Sequence, residues 1–232
     1  MIRSIFLASL LMIVLSSCDY ITGERVKGNG HVVTESRTAG GDFNSIQVSG
    51  AIDVYIRQES YPSIKVETDE NIQGLIITEV RDNVLHIRQE DGFNLRTTTL
   101  KVYVASASYS KLEASGASNI YTEDIISATD KVSIDLSGAS DAVLEISAPE
   151  IEAELSGAGS LAMKGATKNL SIEGSGSSKI TCFDLLAENV SIDISGAGNA
   201  EVSASTTLKV EVSGAADVLY KGSPTIDQHI SG

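Results

Sequence analysis

Val190-Ser191-Ile192-Asp193-Ile194-Ser195-Gly196-Ala197-Gly198-Asn199-Ala200-Glu201-Val202 is the stretch from which the fold can be read. Val190, Ile192 and Ile194 alternate with Ser191 and Asp193, a period of two that places aliphatic side chains on one face of a strand and polar ones on the other. Ser195-Gly196 then interrupts the strand. Glycine supplies a backbone turn at positive φ, where a β-carbon costs roughly 1–2 kcal/mol. A small residue follows, and the alternation resumes at Ala200 and Val202. The unit is a strand, a Ser-Gly turn and a shorter strand.

The unit recurs along the chain. Ser-Gly pairs begin at Ser115, Ser137, Ser156, Ser175, Ser195, Ser213 and Ser231, spaced by 22, 19, 19, 20, 18 and 18 residues, and Ser49-Gly50-Ala51 repeats the motif further upstream. Near-constant spacing is the mark of a repeat architecture. Val132, Ile134 and Leu136 alternate as Val190, Ile192 and Ile194 do, as do Ile151, Ala153 and Leu155, and Leu208, Val210 and Val212. Shorter strands are expected at Val143 to Ile146, Leu161 to Met163, Ile180 to Cys182, Ala200 to Val202 and Val218 to Tyr220, each followed by a variable bend. Two short strands cannot enclose a core, so successive units must stack, each burying its inward residues against the next. Adjacent coils would then pair as parallel strands about 4.8 Å apart. Gly50, Gly116, Gly138, Gly157, Gly176, Gly196 and Gly214 are the expected turn glycines, with the serine hydroxyls bonding the turn backbone or one another. An all-β solenoid of about 20-residue units follows; the rival architecture is an antiparallel meander folded into a sandwich.

Residues 31–114 are less regular. Strands are expected at Ile46 to Val48, Asp53 to Ile56, Ser63 to Glu67, Gly74 to Val80, Val84 to Arg88 and Leu100 to Val104, with Asp82-Asn83 as a turn. This part reads as the first coils and cap of one domain spanning residues 31–232, whose regular repeats occupy 115–232.

The amino terminus reads as an address. Arg3 precedes the apolar run Ile5 to Leu15, which is too short to span a bilayer and fits a signal peptide over residues 1–17. Leu15-Ser16-Ser17-Cys18 resembles the bacterial lipobox, in which the cysteine thiol receives a diacylglycerol. Cys18 is thus the expected lipid attachment, and residues 18–30 a polar, glycine-containing tether. Acyl chains contribute about 0.8 kcal/mol per buried CH₂, enough to hold the chain at a membrane. Cleavage removes Arg3 and takes the net charge from −14 to −15. Cys182 then has no thiol partner and reads as a small buried hydrophobe.

With 31 acidic and 17 basic side chains, the chain repels phosphate backbones, and a nucleic-acid partner is not expected. No catalytic group stands out. His31, His86 and His229 are far apart in sequence, and no serine stands in a recognisable relation to a histidine and an acid. Asp135, Glu152, Glu154, Glu173 and Asp193 point outward from successive strands and read as a solvated face. Position four after each turn serine carries Asp53, Asn119, Asp141, Ser160, Lys179, Asn199 and Asp217. Lys179 interrupts this row as a calcium column, and turn preference accounts for the rest. No metal, cofactor or enzymatic activity is expected.

Several stretches together resemble one bacterial family. They are Phe43-Asn44-Ser45-Ile46-Gln47-Val48-Ser49-Gly50, Asp53-Val54-Tyr55-Ile56-Arg57-Gln58, Val66-Glu67-Thr68-Asp69-Glu70-Asn71, Thr78-Glu79-Val80, Asn83-Val84-Leu85-His86-Ile87 and, after the serial Ser-Gly turns, Tyr220-Lys221-Gly222-Ser223-Pro224. The chain is similar to the family called putative auto-transporter adhesin, head GIN domain, over about residues 30–232. The resemblance implies a right-handed parallel β-helix, no established catalysis, a suggested role in adhesion, and a Bacteroidetes-type envelope. Ser-Gly-Ala here replaces the Ser-Gly-Ser or Gly-Ser-Gly of many members, and no membrane barrel follows within the sequence.

The expected function is that of a non-catalytic lipoprotein of the cell envelope, anchored at the outer membrane, whose β-helix surface binds a glycan or protein. The alternatives are a structural or regulatory module that binds another envelope protein and, less expected, a carbohydrate-active enzyme.

Overall fold

The computed structural model describes residues 23–232, which hold one short 3₁₀ turn, Gln73–Leu75, and are otherwise strands and their connections. The Ser-Gly segments assemble as parallel strands in sequence order: Lys111–Gly116, Val132–Gly138, Asp141–Gly157, Ser160–Gly176, Lys179–Gly196, Asn199–Gly214 and Thr225–Ser231. Their register sets turn on turn, with Gly138 opposite Gly157, Gly157 opposite Gly176, Gly176 opposite Gly196 and Gly196 opposite Gly214. The result is a β-solenoid of about 6 turns with stacked parallel coils. All-parallel pairing of the repeats rules out the sandwich.

Inward residues stack in columns. Leu85, Ile46, Leu112, Ile134, Ala153, Ile172, Ile192 and Val210 succeed one another along the axis through adjacent registers, and all are buried. Aliphatic side chains suit this site because each rung leaves room for one layer of methyl and methylene groups. Cys182 is fully buried among them.

Turn geometry explains the glycines. All seven have positive φ, from 79° at Gly116 and Gly138 to 124° at Gly196 and Gly214. From Gly116 onward, the residue after each glycine donates its N–H to the glycine carbonyl of the preceding coil, as in Ala139 to Gly116 and Ala158 to Gly138, both 2.8 Å. The serine hydroxyls do not bond one another. Ser115 donates to the Val48 carbonyl and Ser231 to that of Val212, both at 3.4 Å, one coil back.

The expected bends between short and long strands are not breaks. Asp141–Gly157 and Ser160–Gly176 are each a single 17-residue strand. Because neighbouring coils turn at the same place, the interstrand ladder continues through the corner, with Gly165 at φ 125°.

The front half departs from sequence order. Ser45–Gly50 lies between Val84–Gln89 and Lys111–Gly116, and Asp53–Gln58 lies between Leu100–Ser106 and Asn119–Thr122. Antiparallel pairs close this end. Val32–Arg37 pairs with Ser63–Asp69, which pairs with Leu100–Ser106, and Ile76–Arg81 pairs with Val84–Gln89. The last pair turns at Asp82-Asn83, whose φ angles of 50° and 63° match a tight hairpin tolerated by Asp and Asn. Gly74 and Leu75, expected in a strand, instead belong to the 3₁₀ turn. There the Gln73 amide donates to the Val33 and Val66 carbonyls, tying the turn to two strands.

Two further strands, Glu24–Lys27 and Phe93–Arg96, pair in parallel and place Val26 and Leu95 against the core. The chain is therefore held from residue 24 onward, where a tether was expected. Asp69 completes the attachment by accepting hydrogen bonds from the N–H groups of Gly30 and Thr98, both 2.7 Å. The signal segment 1–17 and Cys18 lie outside the described residues.

Candidate binding surface

Two outward faces of the column carry its chemistry. On the Ser-Gly face, cross-strand register aligns Gln47, Glu113, Asp135, Glu154, Glu173, Asp193 and Glu211 in one column, with His86 beside Gln47 and His229 beside Glu211 at its two ends. Glu152 stands in the neighbouring column. Lys111 bridges Glu113 and Asp135, and Lys131 pairs with Glu152 at 2.7 Å. The two carboxylates, hydrogen-bonded to its ammonium, hold the Lys111 pKa above the ordinary lysine range. The row is a partly neutralised acidic face, and no group of three or more metal-ligating side chains occurs among the described residues.

The row Asp53, Asn119, Asp141 and Ser160 hydrogen-bonds to itself. The Asn119 amide donates to Asp53 at 2.8 Å, the Asp141 N–H donates to Asn119 at 3.1 Å, and the Ser160 hydroxyl donates to Asp141 at 2.6 Å. These oxygens serve the coil-to-coil ladder. The histidines remain apart: His31 meets Glu70 at 3.2 Å and His86 meets Gln47 at 2.7 Å.

The other face is built differently. Tyr103, Tyr55 and Tyr121 occupy corresponding positions of Leu100–Ser106, Asp53–Gln58 and Asn119–Thr122, which adjoin in parallel register. Their half-buried rings stack with centroids 5.3 and 5.1 Å apart and interplanar angles of 24° and 26°. Two residues beyond Tyr55 and Tyr121, Arg57 grips Glu123 through Nε at 2.9 Å and Nη2 at 2.7 Å, and reaches Glu59 at 3.2 Å. Hydrogen bonding to Glu123, then to Glu59, raises the guanidinium pKa further. On the other side Lys101 lies 5.7 Å from the Tyr55 ring centre, and the Tyr103 hydroxyl donates to Glu67 at 3.4 Å. Partial burial raises the Tyr103 phenol pKa, as does the nearby Glu67, so the phenol stays protonated at neutral pH. Thr34, Arg57, Glu59, Lys65, Tyr103 and Glu123 surround an open hollow of about 280 Å³. Val143, half-exposed, extends the tyrosine column by one rung.

This arrangement offers rigid, evenly spaced hydrogen-bonding groups beside an apolar strip and fixed charges.

Sequence reasoning did not single out this platform. Tyr55 and Tyr121 both stand six residues after a turn serine, Ser49 and Ser115, so counting from the turns would have aligned them. Tyr103 has no Ser-Gly turn before it and enters only through the exchanged strand order.

Comparison with known proteins gives a consistent fold. Solved structures similar to this one include a putative adhesin from Bacteroides fragilis NCTC 9343, with TM-score 0.83, 21% identity, and coverage of 89% of this chain and 95% of that one. A putative adhesin from Parabacteroides distasonis ATCC 8503 gives TM-score 0.70 and 26% identity over 90% of this chain and 97% of that one. A putative lipid binding protein from the same organism gives 0.72 and 23% over the same shares. No curated protein matches. The model of one family matches residues 42–224, within which lie the tyrosine platform, the acidic column and all seven turn glycines. The chain belongs to the putative auto-transporter adhesin, head GIN domain family.

Proposed function

We propose that this chain is a non-catalytic lipoprotein of the cell envelope, anchored through Cys18, that uses its tyrosine face for adhesion to a saccharide polymer. The observation that carries this reading is the Tyr103–Tyr55–Tyr121 stack, in register across three strands distant in sequence and flanked by the Arg57–Glu123 pair. A rigid array of this kind loses little side-chain entropy when a ligand settles on it. Single contacts of this size are weak, and many anchored copies on one surface multiply them.

The family's adhesin description supports the reading, as does the lipobox-like Leu15-Ser16-Ser17-Cys18. Beads coated with the chain from Asp19 onward are expected to be retained on mucin or extracellular matrix, and Tyr55→Ala to lower retention at least fivefold without unfolding the protein. Retention equal to that of bare beads removes the proposal. Mass spectrometry of the mature amino-terminal peptide tests the anchor, with diacylglycerol on Cys18 as the expected result.

A further inference from the structure

The far end of the column is unlike the end closed by antiparallel pairs. Thr225–Ser231 pairs with Asn199–Gly214 on one side, and no strand covers its other side among the described residues. Its inward side chains continue the core columns: Ile226 follows Leu208, Gln228 follows Val210 and Ile230 follows Val212. Those three predecessors are buried, whereas Ile226 is 42% and Ile230 63% exposed. An open strand edge ending an aliphatic core is a template for another strand.

The sequence of this edge is self-complementary. When Thr225-Ile226-Asp227-Gln228-His229-Ile230-Ser231 faces an antiparallel copy of itself about Gln228, Thr225 meets Ser231, Ile226 meets Ile230 and Asp227 meets His229. Gln228 meets its own counterpart, which gives its inward amide a polar partner. The next strand extends the match, because Lys209 lies opposite Asp227 and Glu211 opposite His229 within one chain. Across the junction the outward column would read Lys209, Asp227, then His229 and Glu211 of the second copy, with Glu211, His229, Asp227 and Lys209 in the related column. Charge alternates at each rung when the histidine is protonated, and a neutral imidazole still hydrogen-bonds the aspartate.

We propose that two copies of this chain join end to end through antiparallel pairing of Thr225–Ser231 about a two-fold axis at Gln228. Parallel self-pairing sets Asp227 against Asp227 and His229 against His229, which opposes like groups. Head-to-tail stacking is blocked by the antiparallel strands that close the opposite end. The two-fold arrangement also closes on itself, so that Thr225–Ser231 offers no further edge to a third copy. One strand edge is a small interface and belongs to the weak, reversible class. The pairing does not depend on what the tyrosine face binds.

Sedimentation equilibrium of the chain from Asp19 onward, which contains every described strand, tests the proposal. Apparent mass is expected to rise from monomer toward dimer between about 10 μM and 1 mM. Asp227→Lys alone opposes lysine to His229, and His229→Asp alone opposes two aspartates, so each is expected to weaken dimerisation at least tenfold. Mixed in equal amounts, the two variants place a lysine against an aspartate at one contact and keep Asp227 against His229 at the other, and a mixed dimer is expected. Both side chains lie on an exposed strand, and circular dichroism of each variant should match the parent. A parent chain that stays monomeric overturns the proposal. So do single variants that dimerise like the parent, or a mixture that remains monomeric.

Discussion

Gly138→Ala and Gly30→Ala separate two reasons for a turn glycine. Both glycines have φ 79°, so an added β-carbon meets the same local strain at each, about 1–2 kcal/mol. Lower chain entropy in the unfolded state returns about 0.4–1 kcal/mol in both variants. Their surroundings differ. A β-carbon on Gly30 has no atom within 4 Å, whereas one on Gly138 would sit 2.7 Å from the Gly116 carbonyl oxygen and 3.3 Å from its nitrogen. That oxygen accepts the Ala139 N–H at 2.8 Å, so the clash falls on the bond joining consecutive coils. Overpacking of a close contact costs about 1–3 kcal/mol, and loss of the hydrogen bond adds about 0.5–1.5 kcal/mol. The expected total is about 2–5 kcal/mol for Gly138→Ala against about 1 kcal/mol for Gly30→Ala. At roughly 2–4 °C per kcal/mol for a chain of this size, Gly138→Ala should lower Tm by about 5–15 °C and Gly30→Ala by about 2–4 °C. Differential scanning calorimetry on both variants and the parent measures the difference. Equal shifts would show that stacking of the turns does not select glycine, and the account of the corner would fail.

Three other perturbations have definite outcomes. Burial pushes the Cys182 thiol pKa up to about 12, so the native protein should resist thiol reagents at pH 8 and react at the rate at which the coil opens. The unfolded thiol ionises near pH 8.5 while the folded one stays protonated, so this group's contribution to stability is whole at lower pH. It falls by up to about 1.4 kcal/mol per pH unit above that. The Thr98 N–H holds the Asp69 carboxyl below the usual carboxylate range, with help from the Gly30 N–H and the Thr98 hydroxyl. Its contribution is present above the unfolded value, near pH 3.9, and is lost as pH falls through the lower folded one. Hydrogen-exchange protection factors of the Gly30 and Thr98 amides should therefore be high at pH 6 and fall in strong acid, and Asp69→Asn should lower them at both. Rapid exchange of these amides in the parent at pH 6 counts against the attachment. Ser178 is buried with no hydrogen-bond partner for its hydroxyl among the described residues; Ser178→Ala should raise stability in urea by about 1 kcal/mol, and a loss of that size would mean the hydroxyl is satisfied.

The repeats were legible because two local signals coincide there. Period-two aliphatics such as Val190, Ile192 and Ile194 set the buried face, and Ser-Gly pairs set the corner, so the register of coil on coil follows from the spacing alone. The front half has no such period. Its strands were mostly placed, but their partners were not, because Ser45–Gly50 meets Val84–Gln89 and Lys111–Gly116 across intervening chain that leaves no spacing signal. Glu24–Lys27 looked like linker for a related reason. One valine, Val26, is its whole apolar contribution, and partners far along the chain, Phe93–Arg96 with Leu95, Asp69 and Asn71, turn that stretch into structure. The tyrosine platform shares both causes, since two of its rings follow the turn spacing and the third arrives through the exchanged strand order.

The order of coils also makes this molecule a ruler. Glu24–Lys27 sits at one end and Thr225–Ser231 at the other, and each unit of about 20 residues advances the chain by one rung of about 4.8 Å. Reach from the base is therefore set by how many units are present and changes only in whole increments. Excising Ala158 through Gly176, which spans one turn to the next, should shorten the standoff by a single rung while keeping every remaining corner over its neighbour.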